Sequence, residues 1–197
     1  MNLSASVVVT HDRLAEAFAI RSAVFMSEQE CPYEEEFDGN DFCATHILGF
    51  VEGRPAGTMR VRWFAEFAKF ERVCVLPQYR NSDVVNTMIE LSFDVATRKG
   101  FTAIYGHAQV RLVHFWEKFG FKPMRKGAKL VFSDHEYVEM MCEKRPRSDA
   151  ITLASDPYLL LRPEGAWDDP GVLERSAARP ATNPYYPPPW RVPGSGR

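Results

Sequence analysis

The sequence has no stretch approaching the roughly 18 consecutive apolar residues of a membrane-spanning helix, and its N-terminus lacks a basic segment followed by a long apolar run. No membrane span and a cytoplasmic location are therefore expected. Positive charge is in no excess either: 24 lysines and arginines stand against 26 aspartates and glutamates, a formal charge of -2 with a pI near 6.2. Wholesale nucleic-acid binding usually leaves a basic footprint, so small molecules or other proteins are the expected partners. Cysteine is sparse. Cys31, Cys43, Cys74 and Cys142 are scattered without a C-x-x-C pair, so neither a zinc site nor a disulfide framework is signalled. Cys74 and Cys142 fall inside apolar runs and read as small core residues. Glycine is missing where it would matter most, in the bend Arg80-Asn81-Ser82-Asp83-Val84-Val85. There an apolar, strand-like run passes into a helical pattern, the arrangement of a phosphate-binding turn. Without glycine the backbone approaches a phosphate less closely, and Asp83 adds a negative charge.

What is present suits a globular domain: 197 residues, 45% hydrophobic, 25% charged and 13% aromatic. Residues 5–10 form a β-branched run, and Leu14, Phe18 and Phe25 then share one helical face. Arg21 lies on that same line, where a charge needs a partner if it is buried. Seven acids and no base follow between Glu28 and Asp41. They read either as a solvated acidic loop or as a loop that grips Arg21 and receives a cationic or amine substrate.

Residues 43–51, 56–64 and 68–76 read as an antiparallel meander, its first turn at Glu52-Gly53-Arg54-Pro55. The spacing of Val84, Met88, Leu91 and Val95 predicts a helix over 83–98, closed by Lys99-Gly100, with Asn81 or Ser82 as its cap. A buried strand at 101–108, a helix bearing Leu112, Phe115, Trp116 and Phe119, and a final strand at 136–144 complete the order. Composition changes at Pro146: the 52 residues from there hold ten of the fourteen prolines. The expected division is a domain over 1–145 and a proline-rich extension over 146–197, partly polyproline II. The extension either wraps or trails the domain without chemistry, or docks Tyr185, Tyr186 and Trp190 on the same subunit or on a neighbour, as in a homodimer.

The element order, with "ERVCVLPQYR", "IYGHAQ" and "FWEKFGF", resembles the GNAT superfamily of acyltransferases. In particular, "IR..VF", "EQ.CPYE.E.DG.D" and the histidine before the meander are similar to a small bacterial branch of N-acetyltransferases, over about residues 5–143. The resemblance implies an α/β (α+β) fold: a mixed, mostly antiparallel sheet, flanked by helices and splayed after its fourth strand. An acyl group would move from acetyl-CoA or another acyl-CoA, bound in the gap, to the primary amine of a small molecule. The fourth-strand backbone at Val73, Cys74 and Val75 would hold the pantetheine arm and polarise the thioester carbonyl. The turn Arg80, Asn81, Ser82, Asp83, Val84 and Val85 would meet the phosphates. Glu71 and His107 are the candidate bases; the other reading makes Glu71 an ion pair and His107 a structural histidine. Arg21, Glu36, Asp38, Asp41 and His46 fall on the acceptor side.

Two features of the family pattern are missing. Asp83 and Val85 replace small residues of the turn, and Trp116 stands where a tyrosine commonly protonates the leaving thiolate; indole N–H donates a hydrogen bond but is no usable acid. Tyr105 or Tyr137 can take over that task. Arg21, Phe25, Asp38, Asp41 and Arg60 also resemble acyl-homoserine lactone synthases, which take their acyl group from acyl carrier protein, although here Glu71 and Arg72 are adjacent where those synthases separate the pair by two residues. A carrier brings one phosphodiester and no pyrophosphate, and Arg54, Arg60, Arg62, Lys69, Arg72 and Arg80 would face it. A binding or regulatory protein that has lost turnover is the competing class.

Overall fold

The computed structural model describes residues 1–124, 130–176, 178–180 and 182. The chain divides into two compact units, Met1–Ala154 and Ser155–Arg197. In the first, β1 (Leu3–Val7) pairs antiparallel with β2 (Ala44–Val51), which pairs with β3 (Arg54–Trp63) and then β4 (Phe67–Val75). The turn between β2 and β3 is tight because Glu52 and Gly53 both have positive φ, 49° and 75°, as a primed two-residue hairpin needs. β4 joins β5 (Ala103–Gln109) in parallel, and β5 pairs antiparallel with β8 (His135–Glu143). Two short strands that the sequence pattern does not announce, β6 (Lys122–Pro123) and β7 (Leu130–Phe132), attach to β8. The result is an eight-stranded, mostly antiparallel sheet flanked by helices.

The expected helices appear with shifted ends. α1 (His11–Arg21) is capped by the Thr10 hydroxyl, which accepts from the Arg13 N–H. It continues as a π-helical segment, Ser22–Glu28, followed by the one-turn α2 (Tyr33–Glu36). α1 and this segment pack Ala17, Ile20 and Val24 on one sheet face, against Leu48, Phe50 and Cys74. α3 (Val84–Arg98) and α4 (Val113–Glu117) cover the opposite face, where Met88, Ile89, Phe93 and Trp116 meet Phe70, Ile104 and Met140. Neither Asn81 nor Ser82 caps α3. Asp83 is the cap residue, without a side-chain bond to the helix backbone, while the Ser82 hydroxyl donates to the Tyr79 carbonyl. Among the described residues, no helix is long and apolar enough to cross a membrane.

The first unit runs past Pro146. Arg147 pairs with Asp94 and Asp149, Asp149 also with Arg98, and the Ile151 N–H donates to the Arg98 carbonyl. Within the second unit, a 3-10 turn at Leu159–Leu161 precedes α5 (Val172–Ser176), and Arg162 binds Glu174 at 2.7 Å. Tyr185, Tyr186 and Trp190 lie outside the described residues.

Candidate active site

β4 carries an irregularity opposite Met59. Arg60 pairs with Glu71 and Thr58 with Cys74, so Arg72 and Val73 together face one residue of β3. Arg72 takes the left-handed conformation, φ 55°, which an extra strand residue can adopt at a bulge. β4 and β5 are hydrogen-bonded only from Phe67–Ala103 to Phe70–Gly106. Beyond that rung they part, and a small cavity opens between Phe70, Gly106, His107, Ala108, Trp116, Phe121 and Met140. The sheet is splayed after its fourth strand.

Backbone direction refines the expected triplet. The Leu76 N–H donates to the Ala56 carbonyl, and the Cys74 carbonyl lies against Gly57, so Cys74 and Leu76 face β3. By strand alternation, Val73 and Val75 present their N–H and C=O to the open edge. Burial, with the Glu36 charge adding to it, pushes the Cys74 thiol well above its usual range, so it is no nucleophile at neutral pH.

At the turn into α3, Arg80 donates to the Val75 carbonyl and forms a two-pronged pair with Glu28 of the π segment. Asn81 and Asp83 are exposed, and Ser82 and Val85 half-buried. The Val84 side chain is sealed among Val51 and Ala56, so only its backbone can serve a ligand. Trp116 is buried, edge-on to Phe121, and lines the cavity in the gap.

The face covered by α1 holds the charges. Arg21 is fully buried and binds Glu36 and Asp41, the latter at 2.5 Å. Arg60, equally buried, binds Asp38 at 2.7 Å, Asp41 at 2.9 Å and Glu71 at 3.2 Å. Arg72 closes the set through Glu36 at 3.1 Å and Asp38 at 3.3 Å. The acidic loop therefore grips Arg21 through Glu36 and Asp41, while Glu28, Glu30, Glu34 and Glu35 remain exposed. Such a network holds its members only while all are paired. Burial alone would raise the Asp38 carboxyl, but the Arg60 hydrogen bond, the Asn40 N–H and the charges of Arg60 and Arg72 hold it well below the usual carboxylate range. Asp41 is likewise held down by Arg21 and Arg60 against its burial. Arg60 and Arg72 are thus committed inward, and Arg60 cannot greet a carrier protein.

His46 is buried beside this network. Its Nε2 lies 3.0 Å from the Asp41 carbonyl, and its Nδ1 has no partner among the described residues. Burial, the largest influence, lowers its pKa.

Glu71 stands on the same sheet face, 3.0 Å from Lys69 as well as beside Arg60. Across the gap, the face of β5 turned toward α1 carries Tyr105, His107 and Gln109, by alternation with the core residues Ile104 and Ala108. The Tyr105 hydroxyl lies 2.7 Å from His107 Nε2 and 2.5 Å from Glu139 Oε1. Burial chiefly, then the positive Lys69, lowers the His107 pKa against the pull of Glu139 and Glu71, which favours the neutral imidazole. Glu139, on β8, was not among the residues that sequence reasoning picks out; only the pairing of β5 with β8 brings it there.

Comparison with known proteins agrees with this geometry. The family model of the acetyltransferase (GNAT) family matches residues 13–121. YyaT of Bacillus subtilis, an uncharacterized protein, is 33% identical over 118 residues, 58% of this chain and 80% of the relative. The crystal structure of Escherichia coli ElaA superposes with a TM-score of 0.63 at 24% identity, over 72% of this chain and all of that one. A GNAT family acetyltransferase from Elizabethkingia anophelis, solved with acetyl-CoA bound, superposes at 0.56 with 10% identity, over 73% of this chain and 99% of the other. The parted fourth and fifth strands and the family match together lead to one conclusion: the chain belongs to the acetyltransferase (GNAT) family.

Proposed function

We propose that the protein transfers an acyl group from acetyl-CoA or another acyl-CoA to the primary amine of a small molecule, with the thioester in the gap between β4 and β5. The observation that carries this reading is the open edge of β4 beyond the Phe70–Gly106 rung, where Val73 offers its N–H and C=O and Val75 its N–H, the Val75 carbonyl being held by Arg80. A pantetheine amide can extend that edge as a strand would, and an N–H aimed at the thioester oxygen stabilises the negative charge that grows there, a contribution of several kcal/mol in related chemistry (~3). The turn from Arg80 to Val85 lies at the end of β4, where the phosphates of the donor would fall.

The neutral amine nitrogen attacks the carbonyl carbon, forming the C–N bond and an oxyanion. The oxyanion collapses, the C–S bond breaks, and the thiolate leaves with the bonding pair. The nitrogen's surplus proton passes to His107, directly or through water. Glu71 is the weaker of the two candidate bases, because Arg60 and Lys69 already occupy its oxygens. Buried, protonated Cys74 favours direct transfer over an acyl-cysteine intermediate. Arg21, Glu36, Asp38 and Asp41 serve the acceptor by holding the loop that borders it, and His46 by bracing Asp41.

One observation favours a second donor. Glu28 already neutralises Arg80, and the turn lacks glycine, so a carrier protein with a single phosphodiester loses less here than coenzyme A. The test is thiol release from acetyl-CoA, longer acyl-CoAs and acylated carrier protein across a panel of amines. Release from acyl-CoA supports the first reading, and release from the carrier alone the second. Acetyl-CoA binding by calorimetry without thiol release from any donor would overturn both in favour of a binding protein.

A further inference from the structure

We infer that Tyr105 and Glu139 are positioning residues for His107, fixing its ring proton on Nε2 and leaving Nδ1 as the atom that receives the proton from the acceptor amine. This rests on the reading of His107 as the base.

The pieces come from two strands. Glu139 of β8 is the direct cross-strand neighbour of His107, and Tyr105 precedes His107 by two residues, on the same face. The Tyr105 hydroxyl touches both, at 2.5 Å from Glu139 Oε1 and 2.7 Å from His107 Nε2. It has one proton to give. A carboxylate accepts only, so the proton points to Glu139, and the hydroxyl oxygen must accept from the ring. The ring nitrogen facing it is therefore N–H. Burial and the neighbouring carboxylate both keep the phenol protonated, so the chain of donors persists at any ordinary pH.

In neutral imidazole, a proton on Nε2 leaves the lone pair on Nδ1. Of the two ring nitrogens, Nε2 is the one bonded to the Tyr105 hydroxyl, which leaves Nδ1 for the acceptor. When Nδ1 takes the amine proton, the Nε2–H stays bonded to the Tyr105 hydroxyl, and the imidazolium charge is met by Glu139 through that hydroxyl. The other groups facing the ring are Lys69 and Glu71 of β4, which oppose and favour its protonation respectively. Phe132 of β7 contacts the ring edge-on, 6.0 Å between centroids, and carries no charge.

The experiment is nitrogen-15 NMR of the histidine rings in the full-length protein, with His107→Gln to identify the signal. Tyr105→Phe removes the acceptor; Glu139→Gln keeps the shape but lets an amide N–H donate to the hydroxyl and so reverses its direction. The parent is expected to show one tautomer with the proton on Nε2, and both variants a mixture or the Nδ1–H form. Thiol release should fall about tenfold or more in kcat in both variants, with KM little changed. A parent ring protonated on Nδ1, or ring signals that neither variant moves, would overturn the inference. A locked tautomer in a parent that releases no thiol would instead remove the role of His107 as base, and the two failures are separately visible.

Discussion

Arg80 and Glu28 are joined by two parallel hydrogen bonds, 2.7 Å and 2.5 Å, across 52 residues of sequence. The pair ties the π segment after α1 to the turn that precedes α3. It also spends the one arginine of that turn on an internal anion. Both side chains remain about two-fifths exposed, so the pair is screened and contributes little to stability. Glu28→Ala should free Arg80 for a donor phosphate and tighten acetyl-CoA binding about two- to fivefold. Isothermal titration of parent and variant measures this; unchanged binding would mean that Arg80 does not reach the donor.

Asp83 acts in the same place with the opposite charge logic. It is exposed at the start of α3, its Oδ1 accepting from the Asn86 amide. A carboxylate about 4 Å from a phosphate charge costs on the order of 1 kcal/mol in water-like surroundings and more where solvent is excluded. Asp83→Gly should therefore strengthen acetyl-CoA binding by roughly fivefold or more, while binding of pantetheine, which has no phosphate, stays the same. Equal gains for both ligands would show that the change widened the gap and relieved no repulsion.

The buried charges make a sharper demand. Arg21 has no exposed surface and two buried carboxylates depend on it. Removing one partner of such a set typically costs about 3 kcal/mol or more. Arg21→Ala should lower the melting temperature by about 6 to 12 °C, read by circular dichroism. A variant that melts with the parent would contradict the burial of this side chain.

Acid should dissolve the same network. Asp38 and Asp41 have folded pKa values below those of the unfolded chain, so they bind fewer protons when folded. Their stabilisation is complete above the unfolded value near ~3.9 and is lost as pH falls through the folded values. Denaturant melts from about pH 5 to pH 2 should show a steep loss below about pH 4, and Asp38→Asn should flatten it. A parent whose stability stays level across that range would show that these carboxylates titrate normally.

Much of the fold is legible in the sequence because local patterns dictate it. Glu52-Gly53 sets the hairpin, the spacing from Val84 to Val95 sets α3, and the short apolar run after Gly100 sets β5. The charge on the apolar line of α1 foretells the pairing of Arg21, since the only acids dense enough to meet it follow directly. Other features depend on the assembled sheet. Nothing local marks Ser22–Glu28 as π-helical, because its residues suit an α-helix equally. Two-residue β6 and three-residue β7 are too short for a periodic signal. His107 can be named from its strand, but the arrival of Glu139 beside it requires the register of β5 on β8.

The left-handed Arg72 has one more effect, on the parity of β4. Ahead of it, even-numbered Ala68 and Phe70 face α3 while odd-numbered Lys69 and Glu71 face the acidic loop. After it the assignment is exchanged: Cys74 and Leu76 turn to α1, and Val73 and Val75 to α3. One extra residue thus divides a single strand into two ribbons of opposite sidedness, without a break in the chain. The first ribbon delivers a charged side chain to the reacting face, and the second delivers apolar side chains there to neither face's charges but bare backbone to the gap. Straightening the bulge with Arg72 kept would turn Cys74 toward α3 and Val73 and Val75 toward the charged side, whereas deleting Arg72 would leave each of them on its present face.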